Sequence, residues 1–180
     1  MFYTGKGDDG NTGLFGTEKR VSKASPIPEA LGATDELNSL LGICKVKSSD
    51  LSLPNGKNVS GLIDLVQGQL FIAQAELAGT DKTIDKKKVE ELEIVIKEIE
   101  KSLPKIHTFR VSGGTELSAL FDYARAVSRR TERRLVAAAE LKEIGLGTRG
   151  YFNRLSSLLY ALARLANAKF GITEQSPTYE

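Results

Sequence analysis

The chain has 180 residues, of which 27% are charged and 41% belong to the hydrophobic set, a composition that excludes a disordered or membrane-spanning chain. Its 25 basic and 23 acidic residues give a formal net charge of +2, which provides no bulk attraction to nucleic acid. The single cysteine and single histidine exclude a disulfide framework and a metal site built from those residue types. We therefore expect a cytoplasmic protein of one domain, residues 1–180, that binds neither nucleic acid nor a membrane.

The first 25 residues differ in composition from the rest of the chain. They are rich in Gly, Thr, Asp and Lys and show no sustained hydrophobic period, which predicts an irregular Gly-rich arm rather than a helix. From residue 26 to residue 171 the pattern is helical, and residues 172–180 are expected to form a C-terminal tail.

Three helices are predicted in the first part of the helical region. The first begins at Pro26, a residue suited to the first helical turn, with Ser25 as its N-cap, and it runs to about Lys47. The second and third are predicted over about 60–79 and 85–103, where apolar residues recur every three or four positions.

An extended link over residues 106–111 and a glycine pair lead into two more helices. The fourth is predicted from the cap residue Thr115 to about Glu143, and the fifth from the cap residue Thr148 to Gly171. Five helices without a convincing series of strands predict an all-α fold, a five-helix bundle.

The fourth helix carries the densest group of charged residues in the chain. Its apolar side chains form one stripe, and Arg125, Arg129, Glu132 and Arg133 lie together on an adjacent face. One interpretation is a solvated basic face, with Glu132 paired within the helix. The other is a phosphate clamp, because guanidinium groups match the geometry of phosphate oxygens.

The arm is a second candidate for anion binding. Glycines allow backbone N–H groups to turn toward an anion, Lys6 supplies a positive charge, and Thr4 and Thr12 supply hydroxyl donors. The segment has neither the spacing of a Walker A loop nor that of a calcium loop. A flexible tail is the alternative interpretation.

Several other positions attract attention for single reasons. Asp35 lies in an apolar stretch of the first helix, so it is expected to need a partner such as an arginine from another helix. Asn153 belongs to a polar stripe on the fifth helix, which is either a solvent face or the wall of a ligand site. His107 and Phe109, just before the glycine pair, either pack in the core or line a pocket.

Five segments, in order along the chain, resemble the PduO-type ATP:cob(I)alamin adenosyltransferases. They are residues 3–13 (YTGKGDDGNTG), 20–23 (RVSK), 32–39 (GATDELNS), 128–134 (SRRTERR) and 152–156 (FNRLS). Each motif alone is modest, whereas five in register are highly specific.

The resemblance implies a five-helix bundle that assembles as a homotrimer with active sites between subunits. It implies that the 5′-deoxyadenosyl group of ATP is transferred to the cobalt of cob(I)alamin, with release of triphosphate. Mg²⁺ would be bound mainly through ATP. A reductase that supplies electrons and an adenosylcobalamin-dependent enzyme that accepts the product would be its protein partners.

The resemblance also implies roles for individual residues. Asp35 would pair with Arg125 at the subunit interface, and Phe109 would lie at the corrin and help to displace the lower axial base. Arg129 completes the predicted catalytic set. The predicted ATP-binding residues are Thr4, Gly5, Lys6, Gly7, Thr12 and Lys23 from the arm and, across the subunit boundary, Arg129, Arg130, Glu132, Arg133 and Asn153.

The implied chemistry agrees with the composition, because cobalt(I) is itself the nucleophile and no side chain has to attack. Ser112 and Ser157 depart from the family pattern, which has proline before the glycine pair and aspartate after Arg-Leu-Ser. Two alternatives from other classes remain: a helical module that binds a nucleotide or corrinoid without turnover, and an adaptor whose arginine helix binds an acidic protein. Neither accounts for both the arm and the arginine helix.

Overall fold

A computed structural model describes residues 2–16 and 18–179, so the predicted domain ends at 1 and 180 and position 17 of the arm lie outside the described residues. The predicted all-α five-helix bundle is confirmed. The helices are α1 (Pro26–Lys47), α2 (Val59–Ala78), α3 (Lys86–Ser102), α4 (Glu116–Ala138) and α5 (Leu146–Lys169), preceded by two short strands, β1 (Asn11–Gly13) and β2 (Arg20–Ser22).

Helices α4 and α5 are the central pair of the bundle. They pack against each other, α1 packs on α4, α3 packs on α5, and α2 packs on α1. The core between them contains the fully buried side chains of Leu37, Phe121, Phe152 and Leu155. Because α4 and α5 are fixed on both sides, polar residues on their open faces have well-defined positions.

The helix starts show which caps the sequence predicts correctly. Thr115 caps α4 as predicted: its Oγ1 accepts from the Ser118 backbone N–H at 3.0 Å, and the Ser118 hydroxyl accepts in return from the Thr115 N–H. Ser25 occupies the N-cap position of α1, with Pro26 next, but its side chain makes no capping hydrogen bond. Helix α2 is capped by Asn58, one position before Val59.

The prediction that Thr148 caps the fifth helix is wrong. Helix α5 begins at Leu146 with Gly145 at the N-cap, three residues before the predicted cap, and Thr148 is buried inside its first turn. The Thr148 hydroxyl instead donates to Glu76 Oε2 at 2.5 Å and accepts from the Ile84 N–H at 3.1 Å. A Cβ at Gly147 would lie 1.9 Å from the Ile84 carbonyl oxygen, so only glycine permits this close approach.

The fourth helix is shorter than predicted, because α4 ends at Ala138 and not near Glu143. The next residues continue as turns in which the N–H groups of Glu140 and Leu141 bond carbonyls three residues back. Lys142 then donates to the Glu76 carbonyl of α2, so the chain turns away from the axis of α4.

The Gly-rich arm is not irregular throughout. Strands β1 and β2 pair antiparallel, with Thr12 opposite Val21, and this pairing folds the arm into a small hairpin. The predicted link over 106–111 lies outside helix and strand, and the Val111 N–H donates to the Gln175 carbonyl at 2.9 Å. Among the described residues, no helix is both long and apolar enough to cross a bilayer.

Candidate active site

Two of the predicted arginines line one cleft on the open face of α4 and α5. Arg125 is half-buried, and its guanidinium carbon lies 5.2 Å from the centroid of the Tyr160 ring. Arg129, one turn along α4, is exposed at the same cleft, which has a volume of about 600 Å³ and is closed on its other side by the end of α3. These two arginines are therefore available to an anionic ligand.

Other arginines of α4 are engaged by helix α1. The Arg130 guanidinium contacts Glu36 Oε2 at 2.5 Å, and Arg134 contacts Glu29 at 3.4 Å. In the single chain these two side chains tie α4 to α1. A contact of Arg130 with ATP would have to compete with, or add to, the Glu36 pair.

Glu132 and Asn153, predicted from separate motifs, meet directly. Asn153 Nδ2 on α5 donates to Glu132 Oε1 on α4 at 2.9 Å, and Arg154 donates to Asn153 Oδ1 at 2.5 Å. The Arg133 guanidinium donates to the Arg129 carbonyl at 3.1 Å. The first two bonds hold an amide, a carboxylate and the Arg154 guanidinium beside one another.

The predicted arm residues bond within the arm. Lys23 Nζ donates to the Gly7 carbonyl at 2.7 Å, and a Cβ at Gly7 would lie 2.9 Å from that nitrogen, so glycine leaves room for the lysine. Gly5 has a φ of +69°, the left-handed conformation that favours glycine. Thr4 Oγ1 accepts from the Lys6 N–H at 3.4 Å, and Thr12 donates to the Gly13 carbonyl at 3.4 Å.

Arg20 organises this arm, a role that the sequence reasoning missed. Its Nη2 donates to the Lys6 carbonyl, to Asp9 Oδ1 at 2.9 Å and to the Asn11 carbonyl at 3.0 Å. The Asn11 N–H bonded to the Asp9 carboxylate, together with Arg20, lowers the pKa of Asp9. The signal available in the sequence was an arginine three residues before the predicted phosphate ligand Lys23.

Asp35 and Arg125 do not meet within one chain. Asp35 is exposed on α1, and its carboxylate has no ion-pair or hydrogen-bond partner among residues 2–16 and 18–179. Arg125 instead lies over Tyr160. The predicted pair requires a second subunit and stays a prediction.

Phe109 lies in a second cleft of about 790 Å³ and is 79% exposed. The two clefts share His107, Arg125 and Tyr160, so they form one continuous surface. His107 is exposed and lines both clefts, which agrees with the pocket interpretation rather than the core one.

Residues 109–113, called here the Phe109 segment, are anchored by partly buried polar contacts. The Gly113 N–H donates to Asp122 Oδ2 at 2.9 Å, and Asn167 Nδ2 donates to the Gly113 carbonyl at 3.0 Å. Burial raises the pKa of Asp122 above its ordinary value, against the opposing effects of the Gly113 hydrogen bond and the charge of Arg125.

The C-terminal tail also supports this segment, which sequence reasoning did not foresee. Arg110 donates to the Glu174 carbonyl at 3.2 Å and to the Ser176 hydroxyl at 2.9 Å. The Glu174 carboxylate contacts Arg164 Nε at 3.0 Å, with 15% and 11% of the two side chains exposed. The tail is therefore bonded to the segment that carries Phe109 through Arg110 and to α5 through Arg164.

Comparison with known proteins decides the family. The sequence profile described as cobalamin adenosyltransferase matches residues 2–166. The chain belongs to this family. Its motifs in the arm, α1, α4 and α5 all fall inside the matched range.

Curated relatives of the family align over most of the chain. The corrinoid adenosyltransferase PduO of Salmonella typhimurium is 37% identical over 90% of this chain, which spans only 48% of that relative's length. The corrinoid adenosyltransferase of Bacillus subtilis is 36% identical, over 94% of this chain and 88% of its own length.

Solved structures of related enzymes have the same fold as this chain. A single-residue variant of the PduO-type ATP:corrinoid adenosyltransferase from Lactobacillus reuteri, complexed with cobalamin and ATP, superimposes with a TM-score of 0.89. It is 27% identical, and the alignment covers 99% of this chain and 97% of that one. A further variant of the same enzyme, complexed with ATP, gives a TM-score of 0.86 at 28% identity.

The described residues of this protein do not form a metal-binding cluster of His, Cys, Asp or Glu side chains. Among residues 2–16 and 18–179, no group of three or more His, Cys, Asp or Glu side chains could hold one. Glu132 is the single carboxylate among the predicted ATP-binding residues, and one of its oxygens accepts from Asn153.

Proposed function

We propose that this protein transfers the 5′-deoxyadenosyl group of ATP to the cobalt of cob(I)alamin and releases triphosphate. The observation that carries the proposal is the continuity of the two clefts, which joins Arg125 and Arg129 to Phe109 on the face of α4 and α5. An anion-binding surface and an exposed aromatic side chain are thereby adjacent, as a reaction between ATP and a large planar corrinoid requires.

In the proposed reaction, the electron pair of cobalt(I) attacks C5′ of ATP while the C5′–O bond breaks. A cobalt–carbon bond forms, and triphosphate leaves with the electron pair of the broken bond. The protein has two tasks: to hold cobalt and C5′ in line, and to stabilise the negative charge that develops on the leaving group.

The arm and the α4–α5 face would share the ATP molecule. Lys6 and Lys23, with the backbone N–H groups around Gly5 and Gly7, would contact the phosphates, and Thr4 and Thr12 would add hydroxyl donors. Arg20 supports this role indirectly, because its three bonds hold the loop in one conformation before ligand binds. Each bond made by the predicted arm residues ends within the arm, which leaves the Lys6 ammonium for ATP.

On the other side of the ligand, Arg129 would contact the triphosphate. Arg133 and the bonded pair of Glu132 and Asn153 would hold the remainder of the nucleotide, and Arg130 would join them while retaining its Glu36 contact. Mg²⁺ would neutralise part of the triphosphate charge. Glu132 is the carboxylate in this set that could contact the ion or its water.

At the corrinoid end, Phe109 would lie against the corrin ring and exclude the lower axial base. The tail and Asp122 hold the segment that carries Phe109, so the side chain is exposed on a fixed backbone. Arg125 lies between the two clefts and would pair with Asp35 of another subunit.

We place this reaction in a homotrimer in the cytoplasm. The free Asp35 carboxylate and the separation of the arm's contacts from the α4 arginines both favour sites shared between subunits. Residues 1–25 would then be the ATP-binding arm, residues 26–171 the bundle and residues 172–180 the tail of one domain. A reductase would supply cob(I)alamin, and an adenosylcobalamin-dependent enzyme would accept the product.

An anaerobic assay tests the proposal. The protein, ATP, Mg²⁺ and cob(I)alamin should give adenosylcobalamin and one equivalent of triphosphate. The loss of absorbance of the reduced corrinoid measures the rate. Arg129→Ala should reduce kcat by about 10²- to 10³-fold, as loss of a charge-stabilising donor does, with unchanged helical content. Arg134→Ala, which removes only the Glu29 pair, is the matched control. Near-normal turnover of the Arg129 variant at saturating ATP would refute its role.

A truncation tests the arm independently of turnover. Removal of the first 20 residues deletes Arg20 and most of the hairpin, so ATP affinity measured by isothermal titration should be lost. Unchanged ATP affinity in a folded truncated protein would contradict the proposed phosphate contacts.

A further inference from the structure

The first cleft has a lysine wall that the proposed contacts do not use. Lys97 and Lys101 follow each other at one-turn spacing on α3, and Lys105 continues the row just after the helix. All three are exposed and line the cleft opposite Arg125 and Arg129.

These lysines have no anionic partner in the described part of the chain, residues 2–16 and 18–179. The nearby α3 carboxylates are used elsewhere: Glu93 accepts from Arg154 at 2.7 Å, and Glu98 accepts from Asn55 at 2.7 Å. Glu100 is the one carboxylate that lines the cleft. Like charges one helical turn apart repel each other, so the pair of Lys97 and Lys101 favours an anion between them.

The local charge of the cleft differs strongly from that of the whole chain. Three lysines and the guanidinium groups of Arg125 and Arg129 stand against Glu100, whereas the full sequence carries a net charge of only +2. Arg164 also lines the cleft, but Glu174 neutralises it. A concave surface with this excess of positive charge attracts a polyvalent or phosphate-bearing anion.

We infer that Lys97, Lys101 and Lys105 form a phosphate-binding wall for a substrate of this enzyme, separate from the ATP contacts of the arm. The inference rests on the proposed function. That reaction has two sources of phosphate: the triphosphate of ATP, and the phosphodiester in the nucleotide tail of cobalamin. Ammonium groups bind either as point charges, without the fixed geometry of a guanidinium.

The position of the wall admits both sources. Arg129, the proposed triphosphate contact, lines the same cleft as the lysines, so the triphosphate would lie near the wall. At the other end, Lys105 precedes Ile106 and His107, which lead into the Phe109 cleft where the corrin would lie. A phosphate group on either substrate would therefore reach the wall without leaving the continuous surface.

Equilibrium titrations of the full-length protein test the inference without turnover. The double variant Lys97→Gln, Lys101→Gln is compared with wild type and with Lys86→Gln, Lys87→Gln, which removes two exposed charges from the other end of α3. Dissociation constants are measured for ATP, inorganic triphosphate, cobalamin and cobinamide, the last of which lacks the nucleotide tail.

The inference expects at least about fivefold weaker binding of a phosphate-bearing ligand by the first variant and no change in the control. Weaker ATP and triphosphate binding assigns the wall to the polyphosphate. Weaker cobalamin binding with unchanged cobinamide binding assigns it to the nucleotide tail.

Affinities within twofold of wild type for all four ligands would overturn the inference. So would an equal loss for cobalamin and cobinamide alone, or the same losses in the control. Absence of adenosyl transfer by wild type would instead refute the proposed function, and the titrations would still decide this point.

Discussion

The Arg125 guanidinium carbon lies 5.2 Å from the centroid of the Tyr160 ring, so a residue of α4 is held in place by one of α5 at the point where the two clefts join. A cation above an aromatic ring at this distance is attracted by the negative face of the ring. The contact orients a guanidinium that has no carboxylate partner within 4.0 Å in the described residues. It therefore presents Arg125 toward the ligand surface.

Replacement of Tyr160 tests this orientation. Tyr160→Leu should lower kcat/KM for cobalamin about two- to fivefold, since an exposed cation–π contact contributes about 0.5–1 kcal/mol. Tyr160→Phe keeps the ring and should retain wild-type kinetics. Steady-state kinetics of adenosyl transfer provide the measurement, and Tyr123→Leu, an exposed position on α4 outside both clefts, is the control. Equal losses in the Phe and Leu variants would assign the effect to the hydroxyl.

The free carboxylate of Asp35 leads to a prediction about assembly. If it pairs with Arg125 of another subunit, Asp35→Asn should weaken trimer formation or cobalamin binding by about 2 kcal/mol, which is roughly 30-fold, because loss of an interfacial charge leaves the arginine unpaired. ATP binding should change less. Sedimentation gives the mass and titration gives both affinities, with the exposed loop variant Asp81→Asn as control. Unchanged mass and kinetics would contradict the pairing.

The helices could be predicted because their signals are local. Apolar spacing, Pro26 at the start of α1 and the Thr115 cap are all readable within one turn of the chain. Thr148 has the same local signal, but its hydroxyl donates to Glu76, which lies 72 residues away in the sequence. A buried carboxylate distant in sequence thus overrides a capping preference, and this competition is invisible in a local window.

The sequence motifs name the candidate site residues but not the contacts that support them. Glu132 and Asn153 belong to separate sequence motifs, and their side chains meet at 2.9 Å. The bonds of Arg20 and of the tail residue Glu174 join positions distant in sequence, which no periodicity indicates. The pairing of Asp35 concerns a second subunit, so a single chain does not test it.

The raised pKa of Asp122 predicts a pH dependence of stability. Below its ordinary pKa of 3.8 the carboxyl is neutral in both folded and unfolded states. As pH rises through the raised folded pKa, burial opposes ionisation, so the contribution of the neutral carboxyl to the folding free energy is lost. Asp122→Asn keeps an oxygen acceptor for the Gly113 N–H and removes this charge.

The Asn variant should therefore be more stable than wild type at pH 7, with the difference shrinking as pH falls toward 3.8. Urea unfolding at several pH values measures it, and Asp81→Asn should show no such trend. A variant less stable than wild type at pH 7 would mean that the attraction of Arg125 outweighs burial.

The tail provides the last prediction, because Glu174 both neutralises Arg164 and supports the Phe109 segment. Their contact, Nε to Oε2 at 3.0 Å, is largely shielded from water, with 11% and 15% of the side chains exposed. Glu174→Gln leaves Arg164 without its charge partner but keeps an acceptor. The expected loss is about 2 kcal/mol, below the range for complete removal of a buried partner.

For a chain of this size, that loss corresponds to a fall in Tm of about 4–8 °C. The KM for cobalamin should also rise, because Arg110 and Val111 bond the tail backbone, while the KM for ATP should not change. Truncation after Gly171 should raise the KM for cobalamin further and leave the KM for ATP unchanged. Thermal unfolding and steady-state kinetics measure both effects, with the exposed variant Glu143→Gln as control. Equal increases in both KM values would mean that the tail stabilises the bundle generally and does not position Phe109.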